Sequence, residues 1–328
     1  MINGHGDDIY QYGGIRSNFS SNISPFIDSS SLYQHLAGRL TLINHYPEPD
    51  AHSLETLIAD LYGVSPDEVL VTSGATDAIY LIAQTLREEK TFAVKHPTFS
   101  EYADACRIYG YEETPVGGAI RWLCNPNNPT GEVTSTNAIK ALSRRHRWII
   151  IDQSYEDYTM LQMLTPHEAI QMQNVILIHS MTKRFGIPGL RLGFITAPAT
   201  IIQQLRAHYR PWAVNVLAME AGHWLLKHKN PNERAVMEKM ITEARMLANE
   251  LRTVTGIQVH PSDTNFMLCS LQQGTAAELK DYLAKEHGML IRDCSNFEGL
   301  KDCHFRVAAQ TPAENDALVE AIRKFMEE

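Results

Sequence analysis

Lys183 lies in the stretch SMTKRFGIPGLRLGF (Ser180–Phe194), directly after an apolar run that ends at His179. Most lysines in loops serve only solubility, but this one has company. Ser180 stands three residues before it and Arg191 eight residues after it, a hydroxyl and a guanidinium that could share one phosphate. Gly186, Pro188 and Gly189 hold the loop between them. An amine attacks carbonyl carbon, so a lysine beside an anion anchor suits covalent chemistry on an aldehyde that carries a phosphate.

Three further stretches supply what such chemistry needs. SGATDAI (Ser73–Ile79) joins a strand-like run to an amphipathic helical pattern. The amides of Gly74, Ala75 and Thr76 would lie at the positive end of that helix's dipole, a cradle for phosphate. IIIDQSY (Ile149–Tyr155) ends a buried strand in Asp152, with Tyr155 three residues later. An acid there is either a turn residue or the partner of a ring nitrogen that must stay protonated. CNPNNPTG (Cys124–Gly131) is a Pro/Asn-rich loop at another strand end, where Asn128 is a candidate donor to a phenolic oxygen. Each alone has an ordinary structural explanation; together they point to pyridoxal phosphate held as a Schiff base on Lys183.

In this order the motifs resemble the fold-type-I pyridoxal phosphate-dependent family of aminotransferases and relatives (class I/II), over nearly the whole chain. The resemblance implies an α/β fold: a large domain with a mostly parallel central sheet and helices on both faces, plus a smaller C-terminal α/β domain. It makes Lys183 the Schiff-base lysine, Asp152 the partner of the pyridine nitrogen, and Tyr155 and Asn128 the pair around the phenolic oxygen. Lys183, Asp152 and Tyr155 are then the catalytic set. Gly74, Ala75, Thr76, Ser180 and Arg191 match the phosphate-binding set, and Phe99, in HPTFSEY, the aromatic that stacks on the ring. Tyr46, in HYPEPDAHSL, resembles a tyrosine that reaches the neighbouring subunit's phosphate, which implies a homodimer with shared active sites. No metal is implied.

Within that family, HGDDIYQYG followed by NFSSNISP, PWAVNVLAMEAG, and LIRDCSNFEGLKDCHFRVA are similar to the threonine-phosphate decarboxylase branch. That branch lies next to histidinol-phosphate aminotransferase. The similarity implies decarboxylation of L-threonine O-3-phosphate to (R)-1-amino-2-propanol O-2-phosphate and CO2, in cobalamin biosynthesis. The alternatives are an aminotransferase acting on histidinol phosphate or a related amino acid and, from another class, a regulatory module that binds the cofactor without turnover. Such regulators carry a helix-turn-helix, which the opening arm is not expected to follow. Arg306 is expected to bind the substrate carboxylate, with Arg292 beside it, Asn128 nearby and His5 reaching the substrate phosphate from the arm. Three departures stand out: Asp152-Gln153-Ser154 in place of Asp-Glu-Ala, Gln310 where near relatives carry a basic residue, and a short Tyr111–Cys124 segment with an expected Gly117-Gly118 hairpin.

These residues need a scaffold, and the apolar pattern supplies one. Regular structure is expected to begin at a Ser53 helix cap, and from there short runs (Val69–Val71, Phe92–Val94, Ile120–Leu123, Trp148–Ile151, Val175–Ile178, Leu192–Ile195) alternate with helical patterns. Pro211 is expected to open two long helical patterns, followed by shorter strands and a final helix opened by the capping box Thr311–Glu314. The expected organisation is an arm over 1–35 that contributes to the active site, a cofactor domain over 36–210, and an interdomain helix with the small domain over 211–328. Composition narrows the partners. The 328 residues carry 29 Lys and Arg against 38 Asp and Glu, a net charge of −9, with no basic run beyond Arg144–Arg147, which argues against nucleic acid. No apolar stretch has membrane-spanning length, and five scattered cysteines suit a reducing, cytoplasmic setting. Neither G-x-G-x-x-G nor G-x-x-x-x-G-K-[ST] occurs, so the anion expected here is not a nucleotide.

Overall fold

The protein is described by a computed structural model over residues 6–228 and 231–327. His5, expected at the substrate phosphate, lies outside these residues. Seven strands form one sheet in the spatial order Val69–Thr72, Gly193–Thr196, Val175–Ser180, Trp148–Asp152, Ile120–Cys124, Thr91–Ala93, Glu112–Glu113. All run parallel except Gly193–Thr196, which is antiparallel to both neighbours. The central strands are buried on both faces, which is why they read as continuous apolar runs. Ile150 and Ile176 pack on one face with the helices Gly74–Thr85, Glu101–Ile108 and Ala199–Arg206. Ile149, Ile151, Val175 and Leu177 pack on the other, with Thr136–Ser143 and Pro166–Ile170. The sheet is therefore sandwiched between two helical layers, the α/β arrangement expected.

A second core forms around a four-stranded antiparallel sheet in the order Arg292–Asp293, His304–Ala308, Phe266–Leu271, Ile257–Val259, covered by the helices Glu233–Arg252, Ala276–His287 and Pro312–Glu327. In the arm, Ser17–Asn18 pairs in parallel with Met289–Leu290, and Phe19 is fully buried in this second core. No helix among the described residues is long and apolar enough to cross a membrane.

Several sequence expectations need correction. Regular structure begins before Ser53, with a helix at Ser30–Ala37 whose only fully buried side chain is Leu32, too little apolar surface to announce itself. Ser53 is not a cap. The next helix starts at His52 behind Ala51, and the Ser53 hydroxyl meets His223 Nε2 at 2.9 Å. Pro211 opens no helix; Asn215 does, accepting the Ala218 N–H at 2.9 Å. The helix Ala276–His287 was missed although Thr275 and Glu278 form a capping box and Gly288 ends it.

Gly117 and Gly118 make no hairpin. Glu112–Glu113 and Ile120–Cys124 flank Thr91–Ala93 on opposite sides and both run parallel to it, so the six residues between them cross that strand. Gly118 permits the crossing, because a Cβ there would come within 2.6 Å of the Phe92 carbonyl carbon.

Candidate active site

The parallel strands end on one side of the sheet, where open α/β sheets place their ligands. Asn125–Gly131 follows the strand Ile120–Cys124, Asp152 and Ser180 end their own strands, Lys183 comes three residues after Ser180, and Gly74 opens a helix one residue after Val69–Thr72. These ends line a cleft of about 360 Å³. It brings together Ala75, Thr76, Phe99, Asn128, Asp152, Tyr155, Ser180, Lys183, Arg191, Arg292 and Arg306, eleven of the residues expected at the site. Gly74 underlies it through Arg191. Tyr46 lies elsewhere, 84% exposed and 5.4 Å from the Trp212 ring. Gln310 is buried with its amide donated to the Ala308 and Ala309 carbonyls, so it does not reach the cleft.

Lys183 is half-buried, and its Nζ donates to the Ser21 carbonyl at 2.8 Å. Burial, then the Arg306 charge, and last that of Arg191 push its pKa down to about 8, against Asp7, which pulls it up. The consequence is nucleophilicity. At pH 7 roughly one amine in ten is neutral, against roughly one in three thousand at the ordinary value. The rate at which apoprotein captures a pyridoxal aldehyde should therefore climb nearly tenfold per pH unit below about 8 and level off above it. Stopped-flow absorbance measures this; a rate still climbing steeply at pH 9.5 would contradict the depressed pKa.

Asp152 is 4% exposed. Its Oδ2 accepts from the Tyr102 hydroxyl at 2.8 Å and its Oδ1 from the Ser154 N–H at 2.8 Å. Burial raises its pKa, opposed by the Ser154 and Tyr102 donors and the nearby His179. Among the described residues no lysine or arginine pairs with it. A buried carboxylate without a cation is costly, on the order of several kcal/mol, and a protonated ring nitrogen would offset that cost.

Arg306 is 4% exposed, and its Nη2 donates to the Ser20 carbonyl at 2.6 Å. Its Nη1 donates to Asn128 Oδ1. A guanidinium can only donate, so this bond fixes the Asn128 carboxamide and leaves its NH2 as the remaining donor group. Arg306 Nε is buried with no partner, an orphan that a carboxylate oxygen would satisfy. Arg292 stands opposite Arg306 in the strand register, with Nη2 donating to Asn296 Oδ1 at 2.8 Å and Nη1 to the Asp293 carbonyl. Burial lowers its pKa, with Arg306 adding to the effect. Tyr155 accepts the Asn22 side-chain N–H at 3.2 Å, and burial raises its pKa while Arg306 opposes the rise.

At the other end, Gly74 (φ +84) opens the helix Gly74–Thr85, and Asp77 accepts the Ser73 N–H at 3.0 Å. A Cβ on Gly74 would come within 2.7 Å of Arg191 Nη2. The glycine thus meets two demands at once, a left-handed backbone and a guanidinium lying against the helix start. The residues present fit pyridoxal phosphate: an activated amine, a buried acid lacking a cation, and a positive helix end with an arginine over it.

Sequence reasoning missed several contacts. Tyr102 is three residues after Phe99 in the quoted HPTFSEY motif, but only the fold shows its hydroxyl on Asp152. Ser20, Ser21 and Asn22 were quoted as part of NFSSNISP, yet their contacts with Arg306, Lys183 and Tyr155 span 133 to 286 residues of chain. Asn296 and Phe297 line the cleft from the stretch after Arg292.

The chain matches the sequence profile described as "Aminotransferase class I and II" over residues 18–117 and 110–322. It is similar to a crystal structure of L-threonine-O-3-phosphate decarboxylase from Porphyromonas gingivalis, with 37% identity, a TM-score of 0.90, and 95% of this chain and 100% of that chain covered. It is 27% identical to threonine-phosphate decarboxylase of Salmonella typhimurium, covering 94% of this chain and 89% of that protein. It is also 28% identical to histidinol-phosphate aminotransferase of Caldanaerobacter subterraneus subsp. tengcongensis, covering 87% and 85%.

Proposed function

The chain belongs to the aminotransferase class I and II family, a family of pyridoxal 5′-phosphate enzymes, and on that premise we propose that it decarboxylates L-threonine O-3-phosphate. The products would be (R)-1-amino-2-propanol O-2-phosphate and CO2. A place in cobalamin synthesis and a homodimer with Tyr46 at the partner's cofactor phosphate belong to the same reading.

The observation that carries it is the pair of buried guanidiniums facing each other across neighbouring strands, Arg306 and Arg292. Two such charges ask for a ligand with two anionic groups, and threonine phosphate has a carboxylate and a phosphate. Histidinol phosphate brings only the phosphate, and a transaminase would need a keto-acid partner as well, which an assay without keto acid withholds. The 37% identity to the P. gingivalis structure supports the same reading.

Pyridoxal phosphate, when bound, supplies an electron sink for the pair left behind as CO2 departs. The chain's own residues do the rest. Arg306 takes the substrate carboxylate, its orphaned Nε gaining an acceptor, and Arg292 takes the phosphate. By fixing the substrate's orientation, these two anchors would choose between loss of CO2 and loss of the Cα proton. Asp152 would keep the ring nitrogen protonated. Lys183 Nζ, as an ammonium, would supply the proton that replaces the carboxylate at Cα.

The test is direct. Holoenzyme given threonine phosphate without any keto acid should release CO2 and the amino-propanol phosphate in equal amounts. A strict requirement for a keto acid acceptor, with turnover of histidinol phosphate instead, would overturn decarboxylation in favour of transamination.

A further inference from the structure

Two residues of the cleft would touch the cofactor's ring, Asp152 at its nitrogen and Phe99 on its face, and one side chain meets both. Tyr102 is 1% exposed. Its hydroxyl donates to Asp152 Oδ2 at 2.8 Å, and its ring meets Phe99 edge-on, with centroids 5.7 Å apart at 78°. Its other neighbour is Trp122, stacked at 5.3 Å and 14°, whose indole N–H in turn donates to Cys106 Sγ at 3.2 Å. Trp122 is also 1% exposed, and both rings belong to the main core around the seven-stranded sheet. Tyr102 is thus a rigid post between the core and the ring site.

We propose that Tyr102 is a positioning residue for the cofactor, its hydroxyl keeping Asp152 ionised and aimed at the ring nitrogen while its ring edge sets the angle of Phe99. The physical reason lies in the donor. A neutral hydroxyl at 2.8 Å stabilises a carboxylate more than a carboxylic acid, because the bond to a charged acceptor is the stronger one. It does so in a site where burial alone drives Asp152 toward its protonated form. A protonated Asp152 gives a pyridinium nitrogen no counter-charge. An ionised one draws the proton onto the nitrogen and holds it there. Tyr102 itself stays protonated, since burial and the adjacent Asp152 charge both push its pKa well up. The hydroxyl is therefore a permanent donor. The inference rests on the cofactor and is independent of which substrate bond breaks.

Tyr102→Phe removes one oxygen and keeps the stack on Trp122 and the edge contact with Phe99. The decisive comparison is equilibrium binding to the apoprotein of two ligands: pyridoxal phosphate, and its analogue with carbon in place of the ring nitrogen. Tyr102→Phe should bind pyridoxal phosphate about tenfold more weakly at pH 7 and bind the carbon analogue as the unaltered protein does. The pH below which pyridoxal phosphate affinity falls should also move upward, by about one unit, because Asp152 then ionises later. With pyridoxal phosphate labelled at the ring nitrogen, the 15N resonance should move toward the unprotonated position in the variant. Equal weakening of both ligands would reduce Tyr102 to a packing residue and overturn the proposal, as would unchanged binding of both. Should Tyr102→Phe fail to fold, Trp122→Phe keeps the hydroxyl but loosens its seat. A selective loss for pyridoxal phosphate supports the proposal there, and an equal loss overturns it.

Discussion

Lys183→Ala should lose the near-visible absorbance of a lysine-linked pyridoxal and lower kcat by about four to six powers of ten. The size follows from what the amine does. In the role proposed for it, Lys183 would anchor the aldehyde covalently, give way to the substrate amine and then be the acid for Cα. Its position in the cleft rests on the Nζ bond to Ser21. Loss of that bond costs about 1 kcal/mol, and removal of a buried amine whose charge is already disfavoured offsets part of it. The apoprotein should therefore melt within a few degrees of the unaltered one. Absorbance, turnover on threonine phosphate and thermal melting check the three statements together. If the absorbance band and the turnover both survived the substitution, the assignment of Lys183 and with it the whole site would fall.

Asp152→Asn has the second largest expected effect, and it separates chemistry from packing. Asparagine keeps the shape, and its Oδ1 can still accept from Tyr102 or Ser154. What it loses is the charge. A carboxylate in a site 4% exposed to solvent acts on a ring proton with little screening, so removal of such a preorganised group should lower kcat by about 10²- to 10³-fold. KM for threonine phosphate should change little, because Arg306 and Arg292 are untouched. The apoprotein should be as stable as the unaltered one or more so, since a buried carboxylate lacking a cation has been removed. Steady-state kinetics at saturating cofactor and thermal melting of the apoprotein are the measurements. A kcat within a few-fold of the unaltered enzyme would remove Asp152 from the role argued for it.

The two predictions rest on residues found by different routes. Lys183, Asp152, Asn128 and the Gly74–Thr76 turn were legible because each sits at the end of a strand whose apolar run is visible in the sequence. A local motif suffices to read them. The partners that make these residues work were not legible in that way. Ser20 and Ser21 act through backbone carbonyls, for which residue type carries no signal. Tyr102 looks like one more core aromatic until the chain is folded. Gly117-Gly118 was misread for a related reason: two glycines in a short loop fit a hairpin or a strand crossing equally well, and only the pairing of both flanking strands with Thr91–Ala93 decides. The helix Ala276–His287 was readable and was missed, with its capping box in plain view.

By itself, then, the sequence determined the sheet-and-helix alternation and picked out the strand ends, amine, acid and arginines that are candidates for the chemistry. These are short-range properties, set by hydrophobic period and by residue type at a turn. The tertiary structure alone decided how they act. It put Arg306 against Asn128 across 178 residues of chain, laid the carbonyls of Ser21 and Ser20 on Lys183 and Arg306, and buried Asp152 with no lysine or arginine paired to it among the described residues. Burial in that packing, with the Arg306 charge beside it, lowers the amine's pKa, burial raises the acid's, and a guanidinium nitrogen is left without a partner. The reason is physical: burial and charge–charge distance are properties of packing, and no run of neighbouring residues encodes them.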